Sequence, residues 1–212
     1  MSRFIHPLFP LSSPVFFASL ALMLLLLLLQ TVQPELLFQR ERIDAGEWWR
    51  IWTGSLVHTN YVHYALNMLG LLLLLLLFQA LISIRVAFFG LFVLITGVGL
   101  GLYFFSPDLM WYAGLSSALY GGYVIASVYA IAQRDYSLGI PVLLVIMGKF
   151  FWNELNPDSL DDSLTLIGAI IAQDAHRYGI ITAIVYLLIH AVWRMIQHRL
   201  SYRTNRITSV HR

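Results

Sequence analysis

Residues Pro14 to Val32 form an apolar stretch built around six consecutive leucines, Leu24 to Leu29. About 20 such residues are needed for a helix to cross the hydrocarbon core of a bilayer. Similar stretches recur at about Tyr61–Ile82, Val86–Phe105, Ala113–Ala132, Leu138–Asn153 and Thr165–Trp193, so six spans are expected. None alternates with a period of two, which favours helices over barrel strands. Composition agrees. The chain is 59% apolar and 11% charged, against about 25% charged in soluble domains. The expected fold is an all-α integral membrane bundle of six transmembrane helices. It is read as one membrane domain over residues 1–212, with a core at about 14–193. The first stretch lacks a small-x-small cleavage site and is preceded by one basic residue, Arg3, so it is read as a retained helix rather than a signal peptide. Cysteine is absent, which excludes a disulfide framework, a thiol nucleophile and a Cys-ligated metal.

The net charge of +2 says little, but its placement sets an orientation. With the N-terminus in the cytoplasm, eight arginines fall inside, at positions 3, 85, 134, 194, 199, 203, 206 and 212. Three fall outside, Arg40, Arg42 and Arg50, while Lys149 and Arg177 lie within spans. That bias places both termini, including the basic C-terminal tail, in the cytoplasm. The longest connection, Gln33 to Asn60, contains Trp48 and Trp49 and suits a loop in the headgroup region.

Polar residues then cluster at one depth. His63 and Asn67 are four apart near the outer end of the second stretch and share a helix face. Ser116 and Ser117 begin the fourth. His176, counted from Thr165, falls about 16 Å into the sixth. One serine, two histidines and an asparagine thus meet in the outer half of the membrane, where polar groups face a bundle interior or a water-filled cavity. Each has a plainer role. A membrane serine bonds its own helix or a neighbouring one, an asparagine bridges helices, and a lone histidine is often structural. Together they offer a nucleophile, a base and donors for a developing oxyanion. Gly121 and Gly122 on the fourth span, with Gly179 and Ala183 on the sixth, would let those helices approach closely. Close approach would bring Ser116 to His176, with Tyr120 against the imidazole.

Three blocks, in order, resemble the rhomboid intramembrane serine proteases. They are GEWWRIWTGSLVHTNYVHYALN, with His58, His63 and Asn67 in H-x4-H-x3-N spacing; GLSSALY; and AHRYG. The resemblance covers about Glu47 to Ala183. It implies that Ser116 is the nucleophile, two residues after Gly114, and His176 the base of a dyad. It also implies an oxyanion hole of His63, Asn67 and the backbone N–H groups of Ser116 and Leu115. Tyr120, Gly114 and Gly179 would support the dyad. Ser117 and Ala183 depart from the family, which often has glycine at both positions, and altered or reduced activity is the expected consequence. The first block and GKFFWNEL near the end of the fifth span are similar to the rhombosortase branch. That branch implies a bacterial inner-membrane enzyme, its site open to the periplasmic side, acting on membrane proteins with a glycine-rich C-terminal sorting tail.

The expected partners are therefore a transmembrane protein substrate and the lipid bilayer; no nucleic acid, metal or other cofactor is expected. Asp174, two residues before His176, points away from it on a helix and is read as a packing or cavity residue rather than a third catalytic member. Lys149 and Glu154 read as snorkelling or paired interface residues. Asp158, Asp161 and Asp162 read as a solvated loop rather than a metal site. Two rivals stand beside the protease. One is a catalytically inactive rhomboid-like protein that binds or escorts membrane clients; the joint presence of Ser116, His176, His63 and Asn67 argues against it. The other is a proton-coupled transporter, opposed by the absence of an inverted repeat.

Overall fold

The computed structural model describes residues 14–81, 83–156, 166–168 and 172–210. Helix α1 spans Pro14–Leu29. Short helices α2 (Gln33–Leu36), α3 (Arg40–Asp44) and α4 (Arg50–Thr53) follow it. The remaining helices are α5 (Tyr61–Phe78), α6 (Ile84–Phe105), α7 (Ser116–Ala132), α8 (Tyr136–Leu155) and α9 (Gln173–Val210). Among the described residues, five helices are long and apolar enough to cross a membrane. The apolar α7 has 17 residues, about 26 Å at 1.5 Å per residue. The architecture is an all-α membrane bundle. Its outward faces carry Leu28, Leu69, Phe89, Phe92, Val145 and Ile189, all well exposed, a surface that lipid rather than water tolerates.

Helix α7 is central and packs against α5, α6, α8 and α9. Lipid tails are as apolar as leucine, so helix association in a bilayer depends on close packing. Small residues provide it. A Cβ at Gly121 would stand 2.5 Å from the Gly179 carbonyl oxygen, and one at Gly179 would collide with the Ser117 carbonyl oxygen. Backbone carbonyls do not yield, so both positions require glycine. Ala183 is fully buried in the main core with Leu94, Ala118 and Ile180, and its methyl is accommodated there.

The connection from Gln33 to Asn60 is more structured than a loop. Its strand β1 (Phe38–Gln39) pairs antiparallel with β2 (Trp111–Tyr112), Phe38 opposite Tyr112. Two arginines fasten it. Arg40 donates to the carbonyls of Leu102, Tyr103 and Ser106, at the end of α6, and to that of Leu109. These include carbonyls that a helix end leaves without internal donors. Arg50, 5% exposed, donates to the Pro34 and Leu37 carbonyls and to Glu47 at 2.6 Å. That hydrogen bond holds the Glu47 carboxyl below its usual range. Trp48 and Trp49 remain half exposed on its surface, as suits an interfacial segment.

Several boundaries differ from those expected. Helix α7 starts at Ser116 rather than Ala113, because Gly114 has φ +137° and a right-handed helix cannot include it. Helix α9 starts at Gln173 rather than Thr165. Gly168, at φ +69°, stops any continuous helix upstream. His176 therefore lies in the first turn of α9, not some eleven residues down a span. Downstream, α9 passes Trp193 and has 38 residues, about 57 Å. Helix α5 ends at Phe78. Ile82, Thr165, Asp158, Asp161 and Asp162 lie outside the described residues.

Candidate active site

The turn before α7 positions its first residue. Gly114 donates its N–H to the Gly54 carbonyl at 3.1 Å, and its own carbonyl accepts from the Tyr112 hydroxyl. Leu115, fully buried, takes the N-cap position. Ser116 opens the helix, so its N–H has no carbonyl one turn earlier within α7 to bond. The helix dipole also favours negative charge at this end.

Ser116 Oγ lies 3.0 Å from His176 Nε2. The imidazole is 4% exposed. Its Nδ1 is 3.2 Å from Gln173 Oε1. An amide oxygen only accepts, so the Nδ1 position carries the proton and Nε2 presents its lone pair to the serine hydroxyl. The Gln173 amide nitrogen donates to the Phe150 carbonyl at 3.4 Å, which fixes this orientation of the side chain. The Tyr120 ring lies 4.4 Å from the imidazole, centroid to centroid, at 36°. Ser117 is fully buried and hydrogen-bonds the Tyr112 hydroxyl at 3.0 Å instead.

His63 and Asn67, one turn apart on α5, line a cavity of about 770 Å³ together with Ser116, Tyr120, Lys149 and His176. The N-terminus of α5 is capped by Asn60, whose side-chain oxygen accepts from the His63 N–H at 2.8 Å. The imidazole edge of His63 faces Gly114. A Cβ there would stand 2.6 Å from His63 Cε1 and 3.0 Å from Nε2. His63 Nδ1 is 3.1 Å from Thr59 Oγ1. Asn67 donates one amide hydrogen to the His63 carbonyl at 2.9 Å, leaving a second donor on the same nitrogen. His58 packs edge-on against His63, ring centroids 5.2 Å apart. Its Nδ1 is 3.1 Å from Gln30 Nε2, and burial pushes its pKa down to about 3.

Other singled-out residues lie elsewhere. Asp174 bonds Ser106 Oγ at 2.9 Å and Arg177 at 2.7 Å, away from the cavity lining. Glu154 does not pair with Lys149. It takes Arg177 in a two-pronged ion pair, 2.8 and 2.5 Å, that ties α8 to α9. Lys149 is exposed at the cavity wall. Among the described residues, no group of three His, Cys, Asp or Glu could hold a metal ion. Sequence reasoning missed Gln173 and Thr59. Gln173 is three residues before His176, on its helix face; Thr59 is four before His63.

A hydroxyl bonded to the free nitrogen of a neutral imidazole, at a helix N-terminus and beside side-chain amide and imidazole groups, is equipped for acyl transfer. A family model described as Rhomboid domain matches residues 45–193. No curated protein and no solved structure matches the chain.

Proposed function

The chain belongs to the rhomboid family, and on that premise we propose that it is an intramembrane serine endopeptidase working through Ser116 and His176. The 3.0 Å bond from Ser116 Oγ to His176 Nε2 carries this reading. Ser116 Oγ attacks the scissile carbonyl carbon while its proton passes to Nε2. The carbonyl oxygen becomes an oxyanion among the N–H groups of Ser116 and Leu115, the Asn67 amide and the His63 imidazole. Collapse breaks the C–N bond, and the imidazolium returns its proton to the leaving amine. Water then hydrolyses the acyl-enzyme by the same steps. A single side-chain donor in such a hole is worth about 3–4 kcal/mol. Tyr120 holds the imidazole plane, while Gly114 and Gly179 permit the close approaches that bring the groups together.

The proposed setting is a bacterial inner membrane crossed six times by one domain, with both termini cytoplasmic. The arginine bias supports it. The cavity opens outward, since hydrolysis needs water. The substrate is a transmembrane protein cut near the outer end of its helix, and a glycine-rich C-terminal sorting tail suits the site. Carbonyls within a helix are already bonded, so the scissile segment must unwind, and each glycine lowers that cost by about 1 kcal/mol relative to alanine. The test is co-expression with a secreted protein bearing such a tail, its new C-terminus read by mass spectrometry. Cleavage by the wild type and not by Ser116→Ala is expected. Cleavage on the cytoplasmic side, or equal cleavage with the glycines replaced by leucine, would refute the assignment.

A further inference from the structure

We propose that Thr59 is a positioning residue that determines which nitrogen of His63 carries the proton, and thereby holds the oxyanion donor disarmed until substrate engages. The inference rests on the protease reading above.

The Thr59 hydroxyl has one proton and, among the described residues, two hydrogen-bonding neighbours, the Ile167 carbonyl oxygen and His63 Nδ1. A carbonyl only accepts, so the Thr59 proton is committed to Ile167. The 3.1 Å contact with His63 must then be a hydrogen bond from Nδ1–H to the threonine oxygen. A neutral imidazole with its proton on Nδ1 has a bare Nε2. With Cε1 it forms the ring edge toward Gly114, and His63 lines the cavity. A bare nitrogen repels an oxyanion rather than donating to it, so this arrangement is the resting one.

The same geometry contains the release. Two side chains just before α5 hold the segment at residues 166–167. Thr59 takes the Ile167 carbonyl, and Asn60 Nδ2 takes that of Leu166 at 3.1 Å. Leu166 and Ile167 both line the cavity. An unwound substrate brings unpaired N–H groups into it. When one of them takes the Ile167 carbonyl, the Thr59 proton is free to turn to His63 Nδ1. The Nδ1 proton passes to a cavity water, and Nε2 takes one from water, with no net change in protonation. Nε2–H then faces the site as a donor.

The experiment uses the full-length protein, ¹⁵N-labelled at histidine, with His63 assigned by comparison with His63→Ala. Nitrogen chemical shifts report the tautomer without reference to activity. Fluorophosphonate, too small to span the cavity, reports the nucleophile. Resting wild type should show the proton on Nδ1 and keep it there in the fluorophosphonate adduct, which brings no N–H to the Ile167 carbonyl. Thr59→Val should rest with the proton on Nε2 and label several-fold faster than wild type, whereas Thr59→Ser should match wild type in both. A merely structural threonine would give slower labelling on removal. A resting wild type with the proton on Nε2 would overturn the proposal without any variant. So would an unchanged tautomer in Thr59→Val, or an Nε2 proton there with no gain in labelling rate over a wild type that does label. If the resting tautomers differ as expected but neither protein labels, the assignment of Thr59 stands and the protease reading falls.

Discussion

Gly114→Ala separates backbone strain from damage to the site. At φ +137°, an alanine costs about 1–3 kcal/mol in backbone strain. Its Cβ would also stand 2.6 Å from His63 Cε1, about 0.8 Å inside the 3.4 Å of ordinary contact. The ring has little room to retreat, with Nδ1 held by Thr59 and His58 packed against it. Such overpacking adds about 1–3 kcal/mol, and a displacement near 1 Å in a catalytic group costs about 10²-fold in rate. Gly46→Ala is the matched control. It also has a positive φ, +105°, but no atom lies within 4 Å of its added Cβ. Gly46→Ala should therefore lose about 1–3 kcal/mol and keep its turnover. Gly114→Ala should lose about 2–6 kcal/mol and turn over about 10²-fold more slowly. Thermal unfolding in detergent and cleavage of a tail-bearing substrate measure the two quantities. A folded Gly114→Ala enzyme with wild-type turnover would show that His63 does not act from this position.

Ser116→Ala should abolish fluorophosphonate labelling. Ser117→Ala should keep it and lose about 1 kcal/mol of stability, because only a hydrogen bond to Tyr112 is removed. Gln173→Leu should lower kcat by about tenfold or more, part of the roughly 10²–10⁴ that a positioned base contributes. Gln173→Glu, which still accepts from Nδ1, should retain more activity; equal rates for the two would refute the orienting role. His58 has a folded pKa near 3, below its ordinary 6.5. Between those values the unfolded chain binds more protons than the folded one, so stability falls as pH drops from about 6.5 toward 3. The slope approaches 1.4 kcal/mol per pH unit. His58→Gln should flatten that fall in pH-dependent unfolding; an unchanged slope would place its origin elsewhere.

The membrane class and the order of helices were legible in the sequence because they depend on the length of local apolar runs. The pairing of His63 with Asn67 was legible because four residues along a helix always share a face. The family blocks named Ser116 and His176 without any distance between them. Helix starts were less legible. Thr165 looks like the beginning of the last span because hydropathy is smooth there, whereas Gly168 and the new start at Gln173 are backbone events. This moved His176 to a first turn and brought Gln173 to its Nδ1.

The sequence by itself determined that this chain lives in a bilayer and which polar residues it carries across each stretch. Only the tertiary structure decided that Glu154 takes Arg177 rather than Lys149, that Gln173 meets His176 Nδ1, and that Thr59 reaches Ile167. Apolar runs and helix faces follow from near neighbours. The contact of α7 with α9 depends on Gly121 and Gly179 meeting across it, and the rotation and depth of each helix at that contact come from packing between residues far apart in the chain.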